Sequence, residues 1–130
     1  MNGKRLLIDS VILIDHFNGI AAATDYLRQK KELVCISAIT RAEVLTGFEA
    51  TGAVAARRFL NAIPLHVIDQ EIADLAAGLR RKHRWKLPDA LQAATALLHD
   101  CLLVTRNTKD FPVDAYDFVV HPYRLKTSHS

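Results

Sequence analysis

Leu6-Leu7-Ile8-Asp9-Ser10 is the stretch on which the fold turns. Three consecutive apolar residues leave no polar face, so Lys4 to Ile8 reads as a strand buried on both sides and ended by Asp9. Ser10 to Phe17 follows as a short helix that Asn18-Gly19 stops. The same cadence recurs downstream. Leu33 to Ile36 is a short strand, and Ser37 caps a helix through Leu45. Leu65 to Ile68 is a strand, and Asp69 caps a helix to about Lys82. Leu102 to Thr105 is a strand running into a polar loop, and Phe118 to Val120 is a last short one. Further helices are expected over Ile20 to Lys31, over Ala53 to Ala62 before Pro64, and from Pro88 to Leu98 or His99. Gly47 and Gly52 flank a turn or a helix break. Strands alternating with helices imply an α/β fold with a mostly parallel sheet covered on both faces. In such sheets the working residues collect at the carboxyl ends of the strands.

The chain has 130 residues, which fits a single domain, 1–130, with a polar, frayed tail from about Pro122 to Ser130. Half the residues are hydrophobic and 24% are charged, a balance that excludes a disordered chain. No apolar stretch is long enough to span a bilayer. The basic start Met1 to Arg5 precedes an apolar run too short for a signal-peptide core, so the expected location is the cytoplasm. Cys35 and Cys101 read as small buried hydrophobes, since a zinc site would need closer Cys/His spacing, and the six histidines show no ligand spacing. The formal charge is +3 with a pI near 9.0, although the total includes every acid discussed below. A basic body around an acidic pocket suits a polyanion such as RNA, or an acidic protein.

Four acids stand where packing alone rarely puts them. Asp9 ends a strand, where capping the next helix is the ordinary alternative. Glu43 shares a helical stripe with Ile39 and Gly47, and a salt bridge to Arg41 is its alternative. Asp89 opens the most apolar helix, Leu87-Pro88-Asp89-Ala90-Leu91-Gln92-Ala93-Ala94-Thr95, where the helix dipole alone would favour an acid. Asp110 closes the loop Thr105-Arg106-Asn107-Thr108-Lys109-Asp110, anchored by Phe111. Carboxylates gathered at one sheet edge repel, and hard divalent cations relieve that repulsion. Ser10, Thr105, Asn107 and Arg84 are candidate hydrogen-bonding or RNA-contacting neighbours. Arg84 belongs to the densest basic run, Arg80 to Lys86, whose Trp85 would either stack on a base or pack inside. Asp15 reads as a solvated or supporting group.

Leu7-Ile8-Asp9-Ser10, Ile36-Ser37 through Glu43, Pro88-Asp89-Ala90 through Thr95, and Val104-Thr105-Arg106-Asn107 through Asp110-Phe111 occur in one order along almost the whole chain. In these stretches the chain resembles the PIN-domain family, specifically the VapC-type toxins of bacterial type II toxin–antitoxin pairs. The resemblance implies a three-layer α/β/α sandwich and a Mg²⁺- or Mn²⁺-dependent endoribonuclease, with Asp9, Glu43, Asp89 and Asp110 as catalytic and metal-holding acids. It also implies a homodimer and a small VapB-like antitoxin, which would carry any contact with promoter DNA. Many relatives have Asn two residues after the first Asp; here that position is Val11, which puts hydrogen bonding near Asp9 in doubt. By the same resemblance the helices Ile20 to Lys31 and Ala53 to Ala62, with Leu27, Phe59 and Leu60, would form the antitoxin groove. Three other readings compete. One is a housekeeping PIN-type RNA-processing nuclease, and another is a PIN-like module without catalysis. The third is a receiver-like phospho-acceptor domain using Asp69, which leaves Glu43 and Asp89 unexplained.

Overall fold

The computed structural model describes residues 3–125; the last five residues of the expected tail, and Met1 and Asn2 of the basic start, lie outside them. Five strands form one sheet: β1 (Leu6–Ile8), β2 (Val34–Ser37), β3 (Leu65–His66), β4 (Leu102–Val104) and β5 (Val119–Val120). Their order is β3-β2-β1-β4-β5, and every pairing is parallel. Six helices connect them: α1 (Ser10–Phe17), α2 (Ala21–Gln29), α3 (Ala38–Thr46), α4 (Ala50–Asn61), α5 (Gln70–His83) and α6 (Leu87–Leu98). The expected three-layer α/β/α arrangement is what the chain forms.

The period-two geometry of the strands sorts the core into two halves. Leu6, Ile8, Val34, Ile36 and Val104 face Ile12, Leu13, Ala23, Leu27, Val44 and Leu60 of α1 to α4. Leu7, Cys35 and Leu103 face the other way, onto Ile72 and Ala76 of α5 and the alanine-rich face of α6. Leu7, Ile8, Ile36 and Leu103 are fully enclosed, each worth about 1.5–3 kcal/mol relative to exposure. Helices on both faces explain why β1 is an uninterrupted apolar run.

The expected helix caps form. Asp9 accepts from Ser10 N, Ser37 from Thr40 N and Asp69 from Ile72 N. Pro88 lies one position deeper than expected, because Leu87 begins α6. The expected break falls between the two glycines: Gly47 is the C-cap of α3, α4 begins at Ala50, and Gly52 sits in its first turn, where a Cβ would meet Phe48 Cδ1 at 3.2 Å. Tyr123, expected in a frayed tail, is tied down through its hydroxyl to Asp15. Among the described residues no helix is long and apolar enough to cross a membrane.

Candidate active site

Asp9 ends the central strand, so it projects where the sheet stops. The register Ile8↔Val104 brings Thr105 beside it, and Thr105 Oγ1 donates to Asp9 Oδ2 at 2.6 Å. Oδ1 accepts from Ser10 N at 2.8 Å and from Gln92 Nε2 at 3.3 Å. Gln92 is 2% exposed and held in turn: Ser37 Oγ donates to its Oε1 at 2.7 Å, and its Nε2 donates to Thr40 Oγ1 at 2.6 Å. Thr40 Oγ1 passes a hydrogen bond to Ile8 O at 3.2 Å. Segments from β2, α3, α6 and β4 thus fix one carboxylate. Three donors serve Asp9 although Val11 supplies none; Val11 packs instead into the apolar half containing α1. Oδ2, with one hydrogen bond, keeps a lone pair for a cation.

Asp89 lies in the first turn of α6 and is half-buried. Burial first, then the charges of Asp9, Asp110 and Glu43, push its carboxyl up to about 6, with Lys86 pulling the other way. All four acids therefore share one electrostatic neighbourhood. Among the described residues neither Asp89 nor Glu43 receives a hydrogen bond or ion pair, and the alternative Glu43–Arg41 pair does not form. Asp110 is held more firmly. Asn107 Nδ2 donates to its Oδ2 at 3.0 Å, and its backbone N–H donates to Asn107 Oδ1 at 3.1 Å. Asn107 N in turn donates to Thr105 Oγ1 at 3.0 Å, so one loop serves both Asp9 and Asp110.

The structure decides several readings that the sequence leaves open. Asp15 is not solvated: it is buried, takes Arg106 Nε at 2.7 Å and Nη2 at 3.0 Å, and accepts from Tyr123 Oη at 2.7 Å. Trp85 is 5% exposed and packs between His83 and Phe111, so it presents no face for a base. Its indole N–H donates to Asp110 O at 3.2 Å, which ties the basic run to the acidic loop. Arg84 is exposed at the left-handed C-cap of α5 (φ 61°), beside a cavity of about 510 Å³ shared with Arg80 and Arg81. Ser10 contributes its backbone N–H to Asp9. Asp69 follows edge strand β3 and serves as a helix cap, away from the central strand that carries Asp9.

The tightest metal-ligating trio among the described residues is not the acids but Cys35, His66 and Cys101, whose donor atoms lie within 4.8 Å of one another. Both cysteines are free and buried in the core as expected, and the fold in addition brings them beside His66, which linear spacing keeps apart. Sulfur and imidazole donors suit Zn²⁺ or Cu⁺, whereas Mg²⁺ and Mn²⁺ take carboxylates. The acids offer the hard oxygen set, unneutralised by their own chain. Gln92 and Thr40 are the supporting residues that motif reading passed over. The available signal was a single amide inside the apolar run Ala90 to Ala96, which must find partners when buried.

A PIN domain model matches residues 6–115. Ribonuclease VapC10 of Mycobacterium tuberculosis is 34% identical over 115 residues, covering 83% of this chain and 86% of its own. Ribonuclease VapC19 of the same organism is 31% identical, covering 82% and 92%. Among solved structures, a toxin–antitoxin complex from Klebsiella pneumoniae contains a chain 38% identical to this one, with a TM-score of 0.85, covering 93% of this chain and 99% of its own. Fold, acidic edge and relatives coincide, and the chain belongs to the PIN-domain family, in its VapC-type toxin–antitoxin branch.

Proposed function

We propose that this protein is a Mg²⁺- or Mn²⁺-dependent endoribonuclease acting in the cytoplasm as the toxin of a type II toxin–antitoxin pair. The observation that carries the reading is Asp89: a half-buried carboxyl pushed up to about 6 by burial and three neighbouring acids, with Lys86 as the opposing charge. Such a cluster is unfavourable by itself and favourable around a cation. Asp9, Asp89 and Asp110 would hold the metal, and Glu43 would ligate it or orient a water. An ion held there would make a bound water more acidic and offset charge building on the scissile phosphate. Thr105 and Gln92 hold the Asp9 carboxylate in place, and Asn107 does the same for Asp110. Arg80, Arg81 and Arg84 form a basic flank that would draw the RNA backbone toward the acids.

The partner reading rests on another face. His16, Thr24, Leu27, Arg28, Phe59 and Ile63 line a cavity of about 460 Å³ between α2 and α4. Leu60 is 1% exposed and belongs to the core, so Phe59 is the aromatic that the groove presents. We assign this groove to a small VapB-like antitoxin, with promoter DNA contacted only through that antitoxin, and the functional unit to a homodimer.

Expression of the chain alone should arrest growth, and co-expression of the adjacent small reading frame should restore it. Arrest that persists with the small frame, or no arrest beside strong RNA cleavage in vitro, would favour a housekeeping nuclease.

A further inference from the structure

Cys35 and Cys101 pack on the α5/α6 side of the sheet, where His66 brings its imidazole to them. Cys35 lies in β2, and His66 ends the neighbouring strand β3. Cys101 is carried across β1 by the turn out of α6: Asp100 adopts a left-handed φ of 54°, and Cys101 N donates to Ala96 O at 2.8 Å. His99, the C-cap of α6, stacks on His66 with centroids 3.9 Å apart. Asp89 sits at the other end of the same helix, ten residues or about 15 Å of helical rise away.

We propose that Cys35, Cys101 and His66 form a second cation site, for a thiophilic ion such as Zn²⁺, separate from the carboxylate edge. The sulfurs are 4.0 Å apart. Two thiolates on a tetrahedral zinc, each at about 2.3 Å, stand about 3.8 Å apart, so the pair is already spaced for the ion. A disulfide would require closure to about 2.05 Å. Cys35 and Cys101 are buried, while His66 is half-buried, so the imidazole side is the route of entry and the place for a fourth, water ligand. The ion would clasp β2, edge strand β3 and the α6–β4 turn together.

Cobalt(II) tests the site on the reduced, metal-stripped full chain. One equivalent should produce the intense near-ultraviolet sulfur-to-cobalt charge-transfer absorption of a thiolate site, and Zn²⁺ should displace it and raise the melting temperature. Cys101→Ser should abolish the band. His66→Gln, at a half-exposed position that leaves the core intact, should weaken binding by more than the roughly 10–100-fold lost with an outer hydrogen-bonding partner. Asp89→Asn should leave the band unchanged. No charge-transfer band in the wild-type chain, or a band undiminished in His66→Gln, overturns the proposal. So does loss of the band in Asp89→Asn.

Discussion

Asp15 and Asp89 are both acids withdrawn from water, yet the chain treats them oppositely. Asp15 is matched within the molecule: a bidentate guanidinium from Arg106 and the Tyr123 hydroxyl cover both of its oxygens. Asp89 is surrounded by three further acids and opposed by Lys86. The first carboxylate is a fastener. It pins Arg106, and with it the loop that carries Thr105, Asn107 and Asp110. The second has Lys86 against three like charges, and under the proposed function a bound cation would supply the rest of its balance. A carboxylate with its own counter-ion organises the fold, and one crowded by like charges is where the proposed cation would sit.

The largest test of this contrast is Asp89→Asn or Asp9→Asn. Either should lower Mg²⁺-dependent RNA cleavage by more than about a hundredfold, beyond what losing an outer-shell partner costs, with an unchanged circular dichroism spectrum. Full activity in both would remove the site assignment. Breaking the other side, Arg106→Met should cost about 2–3 kcal/mol in urea unfolding. That is below the full range for a buried pair, because the Arg106 side chain is 28% exposed and keeps some hydration.

A third measurement compares the two acids through pH. The Asp89 carboxyl is raised from 3.8 to about 6 in the fold, so its ionised form is penalised there. In EDTA that penalty is complete above pH 6, fades as pH falls from 6 toward 3.8, and is absent below. Asp89→Asn should therefore melt a few degrees above wild type at pH 7.5, and the gap should close near pH 4. A constant gap would mean that burial and the neighbouring acids do not raise the Asp89 carboxyl. The smallest effect belongs to Thr105→Val, which removes the 2.6 Å hydrogen bond to Asp9 and should cost about 1 kcal/mol of stability with weaker Mg²⁺ binding.

The parts of the molecule legible in sequence were those written locally. Strand-ending Asp9, the cap at Ser37 and Asp89 in its first turn each follow from a few neighbouring residues, and the alternation of elements gave the parallel sheet. What escaped depends on partners brought together from afar. Asp15 meets Arg106 from 91 residues away, and Gln92 meets Asp9 from 83. For Trp85 the sequence left base stacking and packing equally open; packing wins because its indole N–H finds a carbonyl 25 residues on and the ring goes inside. Cys35 and Cys101 meet only because the turn after α6 crosses over β1.

The sheet also determines how copies of the protein can meet. Its outer strands, β3 and β5, have two residues each. Pro64 precedes one, and Pro122 stands two residues past the other. Little unpaired backbone is left for another chain to zip onto, a built-in guard against edge-to-edge aggregation. The edges are thus a poor route for backbone pairing, and the proposed dimer would meet through side chains without forming a ten-stranded continuous sheet.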